Sequence, residues 1–206
     1  MFSGNVVSNN SDGVYLHSST NNVFFGNTIS KNNDAIHLAY SSNNIFYHNN
    51  FNNTFQVSID SPNISNVWNY SGEGNYWSNY SGTDLYSGPY QNETGSDGIS
   101  DTAFRIDVNN QDSRPLMGMF YDFAVAFRGE THRVSIICNS TVSDFRFNIG
   151  RETGNKIMQL NVSDKGDFAF FCRLMIPTKL MKYPDIVLVG DEEVVPRLLG
   201  ISNETH

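Results

Sequence analysis

The sequence predicts an all-β chain, in which coils of a parallel β-helix are closed by an aromatic cap and followed by a small β-sandwich. Three observations carry this expectation. Residues 1–70 repeat with a period of 22 residues. The repeat is built from Asn, Ser, Val, Ile and Phe, which favour turns and strands. From Met119 onward the period is gone and short stretches alternate apolar with polar residues. Charge divides the chain in the same way: residues 1–70 hold four charged side chains, residues 71–118 nine, and residues 119–206 the other 21. The expected units are therefore coils over 1–70, a cap with an acidic loop over 71–118, and a β-sandwich-like domain over 119–206.

The coils come first. STNNVFFGN (19–27) returns as SSNNIFYHN (41–49). Gly4 aligns with Gly26, Asn10 with Asn32, Leu16 with Leu38, and Phe24 with Phe46. A fixed period in the low twenties means a stacked solenoid. Leucine-rich repeats need a leucine ladder that is missing here, and helical repeats need longer periods. Within one unit Val14-x-Leu16, Phe24 and Ile29 form short alternating bursts separated by polar corners, hence three strands per coil. Coils stacked at about 4.8 Å place equivalent residues above one another and merge their inward side chains into one core.

Asparagine suits the corners because it tolerates left-handed backbone. Stacked amides also hydrogen-bond from coil to coil, so Asn5, Asn27 and Asn49 form one expected column and Asn22 and Asn44 another. Asp12 and Asp34 share a third register. The simpler reading makes each a turn aspartate capping its own backbone; the alternative is a carboxylate dyad with the two groups about 5 Å apart and one pKa raised.

Asn27-Thr28-Ile29, Asp34-Ala35-Ile36-His37-Leu38 and Ser41-Ser42-Asn43-Asn44-Ile45-Phe46 resemble the repeats of NosD-type right-handed parallel β-helix proteins. The next segment extends the likeness. Gly74-Asn75-Tyr76-Trp77-Ser78-Asn79-Tyr80 resembles that family's closing motif, as do Asp97-Gly98-Ile99-Ser100-Asp101-Thr102 and Asp112-Ser113-Arg114-Pro115-Leu116-Met117. The resemblance spans residues 4–118. It implies the C-terminal coils of a right-handed β-helix, of a kind common in archaeal surface proteins and related to carbohydrate-binding and sugar-hydrolase β-helices. The closing segment reads as a cap over the open end of the solenoid, with Trp68, Tyr76, Trp77 and Tyr80 supplying apolar area. Ser81 to Asp101 reads as a long polar loop.

Charge and composition narrow the function. The net charge of −8 and a pI of about 4.9 argue against nucleic acid or an anionic membrane as partner. No run of 18 apolar residues is present, so no membrane-spanning segment is expected. In the loop, Asp97-Gly98-Ile99-Ser100-Asp101 offers a possible calcium site through Asp97 and Asp101, against the plainer reading of an acidic loop with Asx turns. No other cofactor is expected. Catalysis has few candidates: residues 1–70 hold only Asp12, Asp34 and Asp60 as acids and Lys31 as a strong base. Copper, the association of the family's namesake, needs soft or imidazole clusters, and no His-x-His, Cys-x-x-Cys or Met-rich cluster exists.

The C-terminal part shows alternating stretches over 122–127, 133–137, 144–149, 156–162, 168–176 and 185–189, which suggest a small β-sandwich without the immunoglobulin Cys and Trp pattern. Cys138-Asn139-Ser140-Thr141-Val142 and Phe171-Cys172-Arg173-Leu174 resemble the small β-domain that follows the β-helix in some archaeal surface proteins. Cys138 and Cys172 are either buried thiols or one disulfide joining two strands. Of 27 asparagines, nine head Asn-x-Ser/Thr sequons, at 9, 52, 63, 69, 79, 92, 139, 161 and 203; they are either accidents of composition or the marks of a glycoprotein.

The chain enters its first visible coil part-way, without a cap or export signal, and is expected to be a fragment of a longer exported surface protein. The resulting expectation is a non-enzymatic module, extracellular or at the cell surface, that is structural or binds a polysaccharide or cell-envelope glycan through Tyr15, Tyr40 and Tyr47. A degenerate polysaccharide lyase or hydrolase is the rival, and a copper-maturation role the third reading.

Overall fold

The computed structural model describes residues 1–163 and 171–199. The first coil contains β1 (Phe2–Ser3), β2 (Val6–Ser8) and β3 (Asp12–His17). The second contains β4 (Val23–Phe25), β5 (Thr28–Ser30) and β6 (Asp34–Ala39), and the third β7 (Ile45–Tyr47), β8 (Asn50–Asn52) and β9 (Phe55–Ile59). β10 (Tyr76–Trp77) starts the closing segment. Three parallel sheets run along the solenoid, ordered β1-β4-β7, β2-β5-β8-β10 and β3-β6-β9.

The register is that of the repeat: Leu16 faces Leu38, Phe24 faces Phe46, and Val7 faces Ile29 and then Phe51. Ile29, Ile36, Leu38, Phe46 and Phe51 are fully buried in one core. Two files of rings run through it. Phe24, Phe46 and Trp68 stack at 4.8 and 4.5 Å, and Phe51, Trp77 and Phe104 at 4.6 and 4.5 Å. Trp68 and Trp77, each 1% exposed, close the core as the expected cap.

The segment after the cap folds as two small hairpins, β11 (Tyr86–Ser87) with β12 (Glu93–Thr94) and β13 (Phe104–Arg105) with β14 (Gln111–Asp112). The second half follows: β15 (Met119–Phe127), β16 (Glu130–Cys138), β17 (Thr141–Ile149), β18 (Lys156–Ser163), β19 (Cys172–Met175), β20 (Leu188–Val189) and β21 (Glu192–Glu193). β15, β16 and β19 form one antiparallel sheet. The β17–β18 ribbon packs over it, with Phe145, Phe147, Met158 and Leu160 against Val125, Val134, Ile136 and Leu180. These two layers over one core match the expected sandwich architecture. Cys138 and Cys172 lie opposite each other on β16 and β19 and form a disulfide, which resolves the two readings of these cysteines. Residues 168–170 of one expected strand, and the polar end 201–206, lie outside the described residues.

The sheet β15-β16-β19 docks on the side of the β-helix. The Asn50 amide acts like a strand neighbour: its Oδ1 accepts Phe120 N–H at 2.7 Å and its Nδ2 donates to Phe120 O at 2.8 Å. The His48 ring stacks on Phe120 at 4.1 Å.

Candidate functional site

The outer face of β3-β6-β9 gathers the polar and aromatic side chains that the core excludes. Tyr15, His37 and Ser58 share one cross-strand register. Tyr15 meets the His37 ring edge-on at 4.8 Å, and His17 sits between Tyr15 at 6.2 Å and Tyr40 at 5.9 Å. Tyr15 is 52% and Tyr40 70% exposed, so both rings present free faces to solvent. Tyr47 is elsewhere: it lies on β7, half-buried between Phe25, His48 and Tyr70. The structure brings two of the three expected tyrosines together and leaves the third on another sheet.

Carboxylates bracket this face. His37 bridges three coils: its Nδ1 lies 3.2 Å from Asp12 Oδ1 and its Nε2 2.7 Å from Asp60 Oδ2. The Asp60 bond, opposed by desolvation and helped by Asp12, raises the His37 pKa above its ordinary 6.5. Asp34 accepts the Ser58 hydroxyl and the Asn33 side-chain amide. Asp12 and Asp34 are therefore in register, as expected, but neither caps its own backbone. Each reaches a side chain, and His37 and Ser58 come from the following coil. The corners ahead of the two aspartates are turned by left-handed backbone at Asn9 (φ 62°) and Lys31 (φ 58°) rather than by the carboxylates. Beside Asp60 a cleft of about 590 Å³ opens toward Asn63, Arg105 and Val108.

The asparagine columns are longer than the sequence suggested. In the first, Asn5 donates to Asn27 Oδ1, Asn27 to Asn49 and Asn49 to Asn75, each through both backbone N–H and Nδ2, at 2.9–3.1 Å. The second runs Asn22, Asn44, Asn66, with Asn66 N–H donating to Asn110 Oδ1. A third, Asn10, Asn32, Asn53, fills the remaining corner. Asn49, Asn75, Asn44, Asn66 and Asn110 are all buried, so these amides are internal architecture.

In the acidic loop, Asp84 accepts Asp97 and Gly98 N–H. Asp97 accepts Ile99 N–H as an Asx turn, and also Gln91 Nε2. Asp101 Oδ2 accepts Leu85 and Tyr86 N–H, while its Oδ1 is buried without a partner. Burial, with the charges of Asp97 and Asp101 nearby, raises the Asp84 pKa; burial also raises that of Asp97. Five of these six oxygens thus already serve the loop's own N–H groups.

Residues 1–82 match the family model described as periplasmic copper-binding protein (NosD). The β-helix is of the NosD type. The match ends within the closing segment, so both hairpins and every strand from β15 onward lie beyond it. Comparison of the chain with curated proteins and with solved structures found no match. No helix among the described residues is long and apolar enough to cross a membrane.

Sequence reasoning missed His37 as a bridge, the Glu73–Arg173 contact, and Asp107 and Asp112 as column ends. The steps Asn44 to Asn66 and Asn10 to Asn32 keep the 22-residue spacing and were open to it.

Proposed function

We propose that this chain is a non-catalytic module of the cell envelope or exterior that holds a glycan on the outer face of β3-β6-β9. The observation that carries the reading is the pair of exposed rings, Tyr15 and Tyr40, set around His17 on a flat sheet face. Sugar rings stack their C–H faces on such aromatics while their hydroxyls bond to flanking polar groups. Asp12, Asp34, Asp60 and Ser58 provide those groups. The face carries more negative than positive charge, so neutral or amino sugars are expected to bind better than polyuronates. An envelope location is supported by the family description, which names a periplasmic protein.

A degenerate glycosidase is the second reading, favoured by the carboxylates around His37. Both ring nitrogens of His37 are engaged by aspartates, which leaves neither one open to act on a substrate. A glycan array, paired with product analysis on every ligand that binds, separates the readings. Binding without product release supports the module. Product release that is lost in Asp12→Ala, Asp34→Ala or Asp60→Ala supports the enzyme, and no glycan bound at all rejects both.

The matched family's description names copper, and the donors here do not suit it. His37 is enclosed by carboxylates, His48 Nε2 is bonded to Glu73, and the cysteines are joined. Among the described residues no three His, Cys, Asp or Glu side chains converge on a metal position. In the acidic loop the carboxylates are read as scaffolding rather than as calcium ligands, because N–H groups of the loop itself occupy five of their six oxygens.

A further inference from the structure

The nine sequons and the asparagine columns draw on different asparagines, and the coil geometry explains why. In the third column the residues two places on are Asp12, Asp34 and the exposed Phe55. In the first two columns the asparagine points inward, and the residue two places on also points inward, into the core: Asn27 with Ile29, Asn44 with Phe46, Asn49 with Phe51, Asn75 with Trp77. A Ser or Thr is excluded there. The sequons therefore fall on outward positions. Of the eight in the described residues, Asn9, Asn52, Asn63, Asn79, Asn92, Asn139 and Asn161 are exposed, Asn69 is half-buried, and the hydroxyl residue is exposed in every one.

Local bonding sorts these further. Asn69 Nδ2 donates to Ser113, Asn161 Nδ2 to Asp144, and Asn139 Oδ1 accepts Phe171 N–H beside the disulfide. Asn9 Nδ2 donates only to the exposed Ser8 hydroxyl. The side chains of Asn52, Asn63, Asn79 and Asn92 project into solvent with their amides uncommitted to any described residue.

We infer that Asn9, Asn52, Asn63, Asn79 and Asn92 are acceptor sites for N-linked glycans. The donor class is an oligosaccharyl diphosphate carried on a lipid. Asn Nδ2 bonds to the anomeric carbon as the bond from that carbon to the diphosphate oxygen breaks. The lipid diphosphate leaves with the electron pair, and the amide proton passes to a carboxylate of the transferase. Register places three of these sites on one edge: Ser8 aligns with Ser30 and Asn52, Asn9 follows Ser8, and Asn79 follows Ser78, which pairs with Phe51 O. Glycans there would line the corner leading into β3, β6 and β9. This inference does not depend on the proposed glycan-binding face.

The test is export of the full chain from a host that carries an oligosaccharyltransferase, alongside an exported reporter glycoprotein. Glycopeptide mass spectrometry is expected to find glycan at Asn9, Asn52, Asn63, Asn79 and Asn92, with Asn69 occupied severalfold less. Thr54→Ala, which keeps Asn52 itself, is expected to remove one glycan from the intact mass. A glycosylated reporter beside a chain bare at these five sites would overturn the inference, as would Asn69 occupied as fully as they are.

Discussion

Asp112 Oδ2 accepts the backbone N–H of Asn75 at 2.7 Å and the Trp77 indole N–H at 3.0 Å, and so ends the column Asn5–Asn27–Asn49–Asn75 on a carboxylate. The second column ends alike: Asn110 donates through Nδ2 and backbone N–H to Asp107. All the amides in a column point the same way, with donors toward the cap, so their dipoles add and polarise one another. The positive end meets an anion, as at a helix N-terminus. Replacing a middle member should disturb the whole file. Asn49→Ala removes the bonds to Phe24 O and Asn75 and strands the Asn27 donors. Equilibrium denaturation should show a loss of about 3 kcal/mol or more, against under about 0.5 kcal/mol for Asn52→Ala, which is exposed and has ordinary backbone angles. Equal losses would show that the column contributes nothing beyond its corner.

Burial pushes the Asp112 carboxyl up to about 6, against the pull of Trp77, Asn75 and Arg114 N–H groups. The folded value lies above the unfolded one of 3.8, so the fold takes up this proton first, and the group's contribution to stability grows as pH falls through about 6. Relative to Asp112→Asn, the wild type should gain roughly 1–3 kcal/mol between pH 7 and pH 4.5. A stability difference that stays flat across that range would mean Asp112 is not buried against the column. Gly74 belongs to the same contact: any Cβ there would collide with the Asp112 carboxylate, so Gly74→Ala should lower stability even though its backbone angles suit alanine.

Glu73 couples the two halves of the molecule. Its Oε1 accepts from Arg173 Nη2 on β19 and its Oε2 bonds His48 Nε2, both at 2.6 Å. Burial alone would raise its pKa, but the bonds to His48 and Arg173 reverse this and hold it below the ordinary value. Its contribution is therefore present above about pH 4.5 and lost as pH falls through the depressed value. Arg173→Ala leaves a buried carboxylate short of its cation and should destabilise by about 3–5 kcal/mol. Hydrogen exchange should show faster exchange across β15 and β19 in this variant, and in the wild type in acid. Unchanged exchange at β15 would place the docking energy in Asn50 and Phe120 instead.

His37 should titrate above 6.5, since Asp60 and Asp12 both favour its cation. Its pinning of three coils is complete below 6.5 and lost as pH rises through the raised value. Imidazole proton shifts followed by NMR should place the midpoint above 6.5 and move it down in Asp60→Asn. A midpoint that Asp60→Asn leaves in place would mean the bond to Asp60 does not form in solution.

Much of this was legible because a solenoid turns sequence period directly into spatial neighbours. Leu16 over Leu38 and Phe24 over Phe46 followed from the 22-residue step alone. Two column steps are hidden because the spacing changes: Asn32 to Asn53 spans 21 residues and Asn49 to Asn75 spans 26. Asp112 was hidden for a different reason. It arrives 37 residues after Asn75 through two hairpins, and no period links the two. Arg173 is 100 residues from Glu73, so their contact depends on how two separate sheets dock. At the candidate face, exposure of Tyr15 and Tyr40 could be expected from strand alternation and corner position. Tyr47 misled because it follows the inward Phe46 and so alternates outward, yet its outward side is covered by Tyr70 and His48.

The most direct test of the functional account is the affinity of Tyr15→Ala, Tyr40→Ala and Tyr47→Ala for a glycan found on the array, each measured by isothermal titration calorimetry. A stacked sugar on the outer face of β3-β6-β9 predicts about tenfold or greater weakening for Tyr15→Ala and Tyr40→Ala, with Tyr47→Ala binding like the wild type. Undiminished binding in both of the first two variants, with all three folded, would contradict it.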